Sequence, residues 1–152
     1  MSTIEAQHKG ITCMSTEENK AIVRRWSQEL FNQGHLTVAD EIVAPTYCRH
    51  DPGDPSAVDG PEGVKRLVSM LRTINPDLHV NVEDVVAEGD RVVTRYTLDA
   101  GKVSAVQIFR LRDGKIVESW ANRDDLGLLR QRCSPEELLV LDGLYARLFN
   151  TK

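Results

Sequence analysis

The chain has 152 residues, of which 28% are charged, and a formal net charge of −4. This length suits one domain with a substantial core, and the acidic balance lacks the basic surface that nucleic-acid binding requires. No apolar run reaches the ~18 residues of a membrane span, and no signal-peptide segment follows Met1. We therefore expect a soluble cytoplasmic protein that binds neither nucleic acid nor membranes.

Cofactor and metal motifs are missing from the sequence. The three cysteines and four histidines show no metal-binding or redox spacing, and neither a glycine-rich phosphate loop nor a G-x-S-x-G motif occurs. We expect reduced thiols, no metal site and no cofactor.

The N-terminal part predicts a leader followed by a helix. Residues 1–14 lack periodicity and are predicted to be mobile, with Met14 as an alternative start. A capping box, Ser15 to Glu18, opens a helix that should end at Gly34. Trp26 lies on its apolar stripe and is predicted to belong to the core; alternatively, its ring edge lines a cavity.

Two further helices and a strand are predicted next. A short helix spans Thr37 to Ala44 and is stopped by Pro45. A short strand containing Tyr47 then runs into a loop near Pro52. Pro61 suits the first position of a helix that ends near Ile74, with Met70 at the margin of its apolar stripe.

From Leu78 onward the apolar period changes to two, which predicts a run of antiparallel strands. Three helices followed by such strands indicate an α+β fold. We expect a curved sheet that wraps around the helices and encloses a conical pocket.

The last two strands form a hairpin around Arg112-Asp113-Gly114. A two-residue type I′ loop would set Gln107 opposite Trp120, whereas a three-residue loop with a G1 bulge would set Gln107 opposite Ser119. We adopt the three-residue loop, because it gathers small residues and one amide on a face suited to a cavity wall. That face comprises Ala105, Gln107, Phe109, Val117, Ser119 and Ala121. The other face comprises Val106, Ile108, Arg110, Glu118, Trp120 and Asn122.

A C-terminal helical extension is predicted over residues 132–152. Ser134 to Glu137 form a capping box, and an apolar face follows at Leu138, Leu141, Tyr145 and Leu148. So apolar a helix should dock, either on its own domain, over the pocket mouth, or on a partner subunit.

Several segments, in order and spacing, resemble the SnoaL-like polyketide cyclase (ester cyclase) family of the NTF2-like superfamily. They are N-Q-G at 32–34, A-P-T-Y-C-R-H-D-P at 44–52, G-P-E-G at 60–63, N-P-D-L at 75–78, A-E-G-D-R-V at 87–92 and G-K-I-V-E-S-W-A-N-R-D-D-L-G-L-L-R-Q at 114–131. The resemblance implies an NTF2-like cone over residues 15–131. In the characterised cyclases of this family an aspartate on the last strand acts as general acid/base, but ungapped alignment places that aspartate at Ala121 and a helper histidine at Ser119. The known machinery is therefore not carried over.

Three other residues are candidates for moving a proton. His50 and Asp51 lie together at a strand end, where an imidazole beside a carboxylate can act as a base; the alternative is an Asp51 turn with an exposed His50. Asp124 matches an acidic position common among relatives; the alternative is that it caps the turn into the next helix.

Two functions follow as hypotheses. The first is an enzyme that binds a mostly apolar or polyketide-like metabolite and performs acid/base ring closure or isomerisation. The second is a non-catalytic binding or accessory protein that kept the cone. The predicted ligand-binding residues are Trp26, Tyr47, Met70, Gln107, Phe109, Ser119 and Ala121. We also expect a homodimer through the outer sheet face that carries Val106, Ile108 and Trp120.

Overall fold

The computed structural model describes residues 14–52, 57–98 and 102–149, so the predicted leader lies outside the described residues except for Met14. The described helices are α1 (Thr16–Arg25), α2 (Val38–Ile42), α3 (Gly60–Ile74), α4 (Asp125–Arg132) and α5 (Pro135–Phe149). The described strands are β1 (Val43–His50), β2 (Val80–Glu88), β3 (Arg91–Leu98), β4 (Val103–Arg112) and β5 (Lys115–Arg123). They form one sheet in the order β1-β5-β4-β3-β2, in which β1 runs parallel to β5 and the other pairs are antiparallel. The predicted α+β class is confirmed.

Helix α1 begins with the predicted capping box. The amide of Glu18 donates to Ser15 Oγ at 3.2 Å, and the amide of Ser15 donates to Glu18 Oε2 at 2.8 Å. The helix continues as a π-helical segment, Trp26–Asn32, whose wider turns direct Trp26 and Leu30 into the core. The chain then leaves the helix at Gly34, which adopts a φ of 71° that favours glycine.

Strand β1 is longer than predicted, and α2 is correspondingly shorter. The helix ends at Ile42, and Val43 already pairs with Ile116 of β5. Pairing with β5 therefore overrides the local helix signal that continued to Ala44. The register of this pair shifts between Val43 and Cys48, a stretch that contains Pro45, which has no amide to donate.

The predicted three-residue hairpin loop is wrong. Asp113 and Gly114 both have positive φ, 51° and 75°, and Arg112 pairs with Lys115, which is the geometry of a two-residue type I′ turn. The register then shifts, because Val117 is an extra residue between the pairs Leu111–Ile116 and Arg110–Glu118.

The bulge at Val117 places Gln107 opposite Ala121, so neither predicted register is observed. It nevertheless restores the predicted faces beyond it. Val117 is half-buried, and the other members of the predicted inner face are buried. These are Ala105, Gln107, Phe109, Ser119 and Ala121. The observed turn is thus that of the two-residue loop, whereas the observed faces are those predicted from the three-residue loop, and the bulge at Val117 accounts for the difference.

Aromatic side chains fill the core between the helices and the concave sheet face. The ring of Trp26 lies 5.3 Å from that of Phe31, 6.0 Å from Tyr47 and 5.5 Å from Phe109, centroid to centroid. Such tilted and edge-on contacts stabilise a core beyond the burial of area alone. Trp26 therefore belongs to the core, as predicted.

A cross-strand row of side chains runs over the opposite, outer sheet face. Consecutive pairings join Val86 to Val93, Val93 to Ile108, Ile108 to Trp120 and Trp120 to His50. The rings of His50 and Trp120 stack at 5.3 Å. Val86 is exposed, Val93, Ile108 and Trp120 are half-buried, and the guanidinium group of Arg91 lies 5.5 Å from the centroid of the Trp120 ring, so the row is partly open at the surface.

The C-terminal helix α5 does not pack into the domain. None of its side chains within the described residues is buried, and Leu139 and Leu148 are 75% and 74% exposed. Its contacts with α4 include those of Arg130, which pairs with Asp142 and lies 6.0 Å from the ring of Tyr145. Docking on its own domain is therefore not observed. Within the described ranges, no helix combines the length and apolarity needed to cross a bilayer.

Candidate functional site

A cavity of about 720 Å³ lies between the concave sheet face, the π-helical segment, α3 and α4. This volume suits a drug-sized organic molecule. Most of the wall is apolar and is formed by Trp26, Phe31, Leu67, Leu71, Ile74, Leu78, Val80, Leu98, Val103, Ala121 and Leu128. The polar lining residues are Ser27, Arg49, Asn75, Asp77, Thr94, Tyr96, Lys102, Gln107, Arg123, Asp125 and Arg132.

A buried chain of hydrogen bonds supports one part of this wall. The hydroxyl groups of Tyr47 and Ser119 lie 2.7 Å apart, and Gln107 Nε2 donates to Ser119 Oγ at 3.2 Å. Burial raises the pKa of Tyr47 to about 12, although the bond to Ser119 acts in the opposite direction. Tyr47 is therefore neutral at ordinary pH, and Gln107 carries the network to the cavity surface.

An ionic cluster lies where β1 and β5 end side by side. The carboxylate of Asp51, whose side chain is 3% exposed, pairs with Arg49 and with Arg123 Nη1, the latter at 3.0 Å. Arg123 Nε also lies 3.4 Å from Asp125 Oδ1. Burial opposes the charge on Arg123, but the Asp51 and Asp125 carboxylates outweigh it and leave the pKa of Arg123 raised. Both Arg123 and Asp125 reach the cavity.

Tyr96 brings a phenol to the same region of the wall. Burial raises its pKa, and the positive charges of Arg123 and Arg49 lower it in part. The hydroxyl group therefore stays protonated near neutral pH and can donate a hydrogen bond. No three His, Cys, Asp or Glu side chains converge as a metal site would require, as far as the structure is described.

The structure separates the three residues predicted to move a proton. His50 points to the outer face, where Nε2 lies 2.9 Å from Glu118 Oε1 and the side chain is 45% exposed. The reason is strand alternation: Tyr47 and Arg49 point inward, so His50 cannot share their face. Asp51, one residue further, returns to the inner side, so the predicted imidazole–carboxylate pair does not form there.

Asp124 has the alternative role given in the sequence analysis, that of a helix cap. Its Oδ1 accepts a hydrogen bond from the amide of Gly127 at 2.8 Å, which caps the N-terminus of α4. Its side chain is exposed and does not line the cavity, whereas its neighbours Arg123 and Asp125 do.

The seven predicted ligand-binding residues fall into three groups. Trp26, Gln107 and Ala121 line the cavity. Tyr47, Phe109 and Ser119 are fully buried one layer behind the wall. Met70 is a correction, because it lies on the exposed side of α3.

The sequence interpretation missed Arg49, Tyr96, Arg123 and Asp125. Alternation could have found the two arginines, since Arg49 follows the inward Tyr47 by two residues and Arg123 follows the inward Ala121 by two. A guanidinium group stays protonated near neutral pH, so the two arginines were not candidates for moving a proton. Nothing in the local pattern indicated that Asp125, rather than Asp124, reaches the cavity.

Comparison with known proteins agrees with this architecture. A family model for SnoaL-like polyketide cyclases matches residues 21–132. Wild-type IdmH from Streptomyces antibioticus, provisionally described as a polyketide cyclase, is 27% identical with a TM-score of 0.64, over 74% of this chain and 96% of its own. A protein of Acidithiobacillus ferrooxidans, also provisionally so described, is 27% identical with a TM-score of 0.66, over 78% and 96%.

A third solved structure, from Jannaschia sp. CCS1, is provisionally described as a SnoaL-like polyketide cyclase. It is 26% identical with a TM-score of 0.66, over 82% of this chain and 95% of its own. Among curated proteins, none matches this sequence significantly. The predicted NTF2-like cone is confirmed by these structural matches.

Proposed function

Because this chain belongs to the SnoaL-like polyketide cyclase family, we propose that it binds a mostly apolar, polyketide-like metabolite and catalyses ring closure or isomerisation by proton transfer. The observation that carries the proposal is the cavity of about 720 Å³, whose surface is mostly apolar and also presents charged and hydrogen-bonding side chains. Such a site holds a flexible substrate in a folded conformation, and positioning alone can supply much of the rate of an intramolecular reaction.

Of the two described carboxylates that line the cavity, Asp77 and Asp125, the one beside Arg123 is our candidate for moving the proton. Its side chain is 48% exposed, lines the cavity and stands 3.4 Å from Arg123. In an aldol ring closure it would remove a proton from the carbon beside a carbonyl group. That carbon then attacks a second carbonyl carbon of the same molecule, and the resulting alkoxide takes up a proton.

The remaining predicted candidates are given other roles in this proposal. Asp51 holds Arg49 and Arg123 in place behind the wall. Asp124 caps α4, and His50 belongs to the outer face.

A second function is favoured by one specific position. Ala121 lines the cavity at the place where the cyclases that this chain resembles carry their catalytic aspartate. Alanine at this position is expected in a binding or accessory protein that kept the cavity and lost the catalytic activity.

The two functions are separated by measuring binding and turnover on the same molecules. Tricyclic ring compounds and their uncyclised polyketone precursors would be tested by thermal shift and by product analysis. For the enzyme, Asp125→Asn should lower turnover about 10²- to 10⁴-fold while the melting temperature changes by only a few degrees. Asp124→Asn is the matched control and should retain turnover.

Two outcomes contradict the assignment of the proton transfer to Asp125. Full turnover in Asp125→Asn would remove Asp125 from the reaction, and a loss in His50→Ala would return the role to the outer face. Ligand-induced stabilisation with no conversion of any precursor would support the binding protein.

A further inference from the structure

The polar side of the cavity contains a niche bounded by two hydrogen-bond donors. Tyr96 of β3 pairs with Ala105 of β4, and Ala105 pairs with Arg123 of β5, so the three form one cross-strand row on the inner face. The methyl group of Ala105 is short and buried. Tyr96 and Arg123 therefore flank Ala105 on the inner face, and the position between them in this row carries only a methyl group.

Arg123 is held rigidly, and part of it remains open. Asp51 binds it from behind, and Arg49 binds the same carboxylate, so these three side chains carry a formal charge of +1. The side chain of Arg123 is 22% exposed, and it lines the cavity. Asp51 and Asp125 contact Nη1 and Nε of this guanidinium group, and its fixed planar fork can present its other N–H donors to a further oxyanion.

Tyr96 supplies a complementary donor. Its pKa is raised by burial, so the hydroxyl group keeps its proton, and Arg123 is close enough to act on it electrostatically. Lys102 and Arg132 add positive charge to the cavity lining, against Asp77 and Asp125. Eleven of the described apolar residues also line the cavity, which suits a hydrocarbon or aromatic body.

The geometry points to an anion subsite: the ligand is a mostly apolar ring compound that bears a carboxylate, which binds between Arg123 and the hydroxyl group of Tyr96. This inference rests on the proposed function and specifies its substrate class. It concerns binding alone and requires no reaction step.

The experiment compares two ligands of nearly the same shape, anthracene-2-carboxylate and the neutral anthracene-2-carboxamide, by isothermal titration calorimetry. Wild type should bind the carboxylate at least about tenfold more tightly, because a charge-assisted hydrogen bond in a cavity contributes that much. The preference should weaken as salt is added.

Four variants locate the subsite. Arg123→Gln should abolish the preference for the carboxylate, and Tyr96→Phe should reduce it by several-fold. Arg123→Lys keeps the charge but not the planar fork, and it should retain part of the preference. Its preference can still be measured if Arg123→Gln does not fold. Arg66→Gln is the matched control, since it removes one positive charge from the exposed side of α3 and should behave as wild type.

Each contrary outcome is distinct. Equal affinity of wild type for the acid and the amide overturns the anion subsite but leaves the proposed cavity ligand intact. Binding of neither compound overturns both proposals. A preference that survives in Arg123→Gln, or that disappears in Arg66→Gln, shows that Arg123 is not the group that recognises the carboxylate of the ligand.

Discussion

The hydroxyl group of Tyr47 lies 2.7 Å from that of Ser119, and this contact joins β1 to β5 within the core. Ser119 also accepts a hydrogen bond from Gln107, so one serine satisfies two polar side chains. Because β1 and β5 are far apart in sequence, the contact links two distant segments of the chain at a fully buried point.

Removing Ser119 should therefore destabilise the protein more than removing the Tyr47 hydroxyl. Ser119→Ala leaves both Tyr47 and Gln107 without their shared partner, and an unsatisfied buried polar group costs about 1–3 kcal/mol. In Tyr47→Phe, Ser119 keeps its bond to Gln107. Urea unfolding of the single variants and of the double variant measures the coupling. A larger loss in Tyr47→Phe would contradict this network.

Stability should fall at alkaline pH because of Tyr47. Its pKa is raised from 10.0 to about 12 in the folded protein, so the unfolded chain loses this proton first. The resulting stabilisation is complete below pH 10 and is lost as the pH rises toward 12. Unfolding free energies measured across this range should decline less steeply in Tyr47→Phe. Tyr145→Phe, on the exposed α5, is the control, and an equal slope in Tyr47→Phe and wild type would refute the assignment.

Asp124 should contribute to stability as a helix cap. Asp124→Ala removes the acceptor for the Gly127 amide and should cost about 0.5–2 kcal/mol, whereas Asp124→Asn should retain most of the cap. A Cβ atom at Gly127 would meet Asp124 Oδ2 at 2.1 Å, so Gly127→Ala should displace the same carboxylate. The costs of the two alanine substitutions should overlap rather than add, as measured by denaturation of the double variant. Full additivity would mean that the cap is not the shared cause.

We expect a homodimer through the outer sheet face. Val86, Val93, Ile108 and Trp120 form a continuous row there, and Val106 is exposed on the same face. Light scattering at micromolar concentration should give twice the chain mass of 17.0 kDa. Val106→Lys should shift the mass toward one chain, whereas Met70→Lys, at an exposed position of α3, should not. A wild-type mass of 17.0 kDa would exclude this dimer.

Local signals predicted the helices and the inner face of the hairpin well. The Ser15–Glu18 capping box and the stop at Gly34 depend on neighbouring residues, and both are present as predicted. The alternation that assigned Gln107, Ser119 and Ala121 to the inner face is likewise local.

Features that depend on a distant strand were not predictable in the same way. The length of β1 is decided by its pairing with β5, some seventy residues later, which no local pattern records. The same pairing places His50 beside Trp120 on the outside and brings Asp51 to Arg123 on the inside. The pairing of β1 with β5 therefore puts His50 and Asp51 on opposite sides of the sheet, and it brings Asp51 into the ionic cluster with Arg49 and Arg123.

The bulge at Val117 gives the hairpin one position at which its length can vary without consequence for the ligand. The type I′ turn and the cavity wall impose strand registers that differ by one residue, and Val117 absorbs the difference. Deleting Val117 would leave every pair from Arg110–Glu118 onward unchanged. Deleting Trp120 instead would turn Arg123 outward and bring Asp124 to the inner face. A deletion at Val117 should therefore leave the cavity wall unchanged, whereas a deletion beyond Ser119 should exchange the side chains that form it.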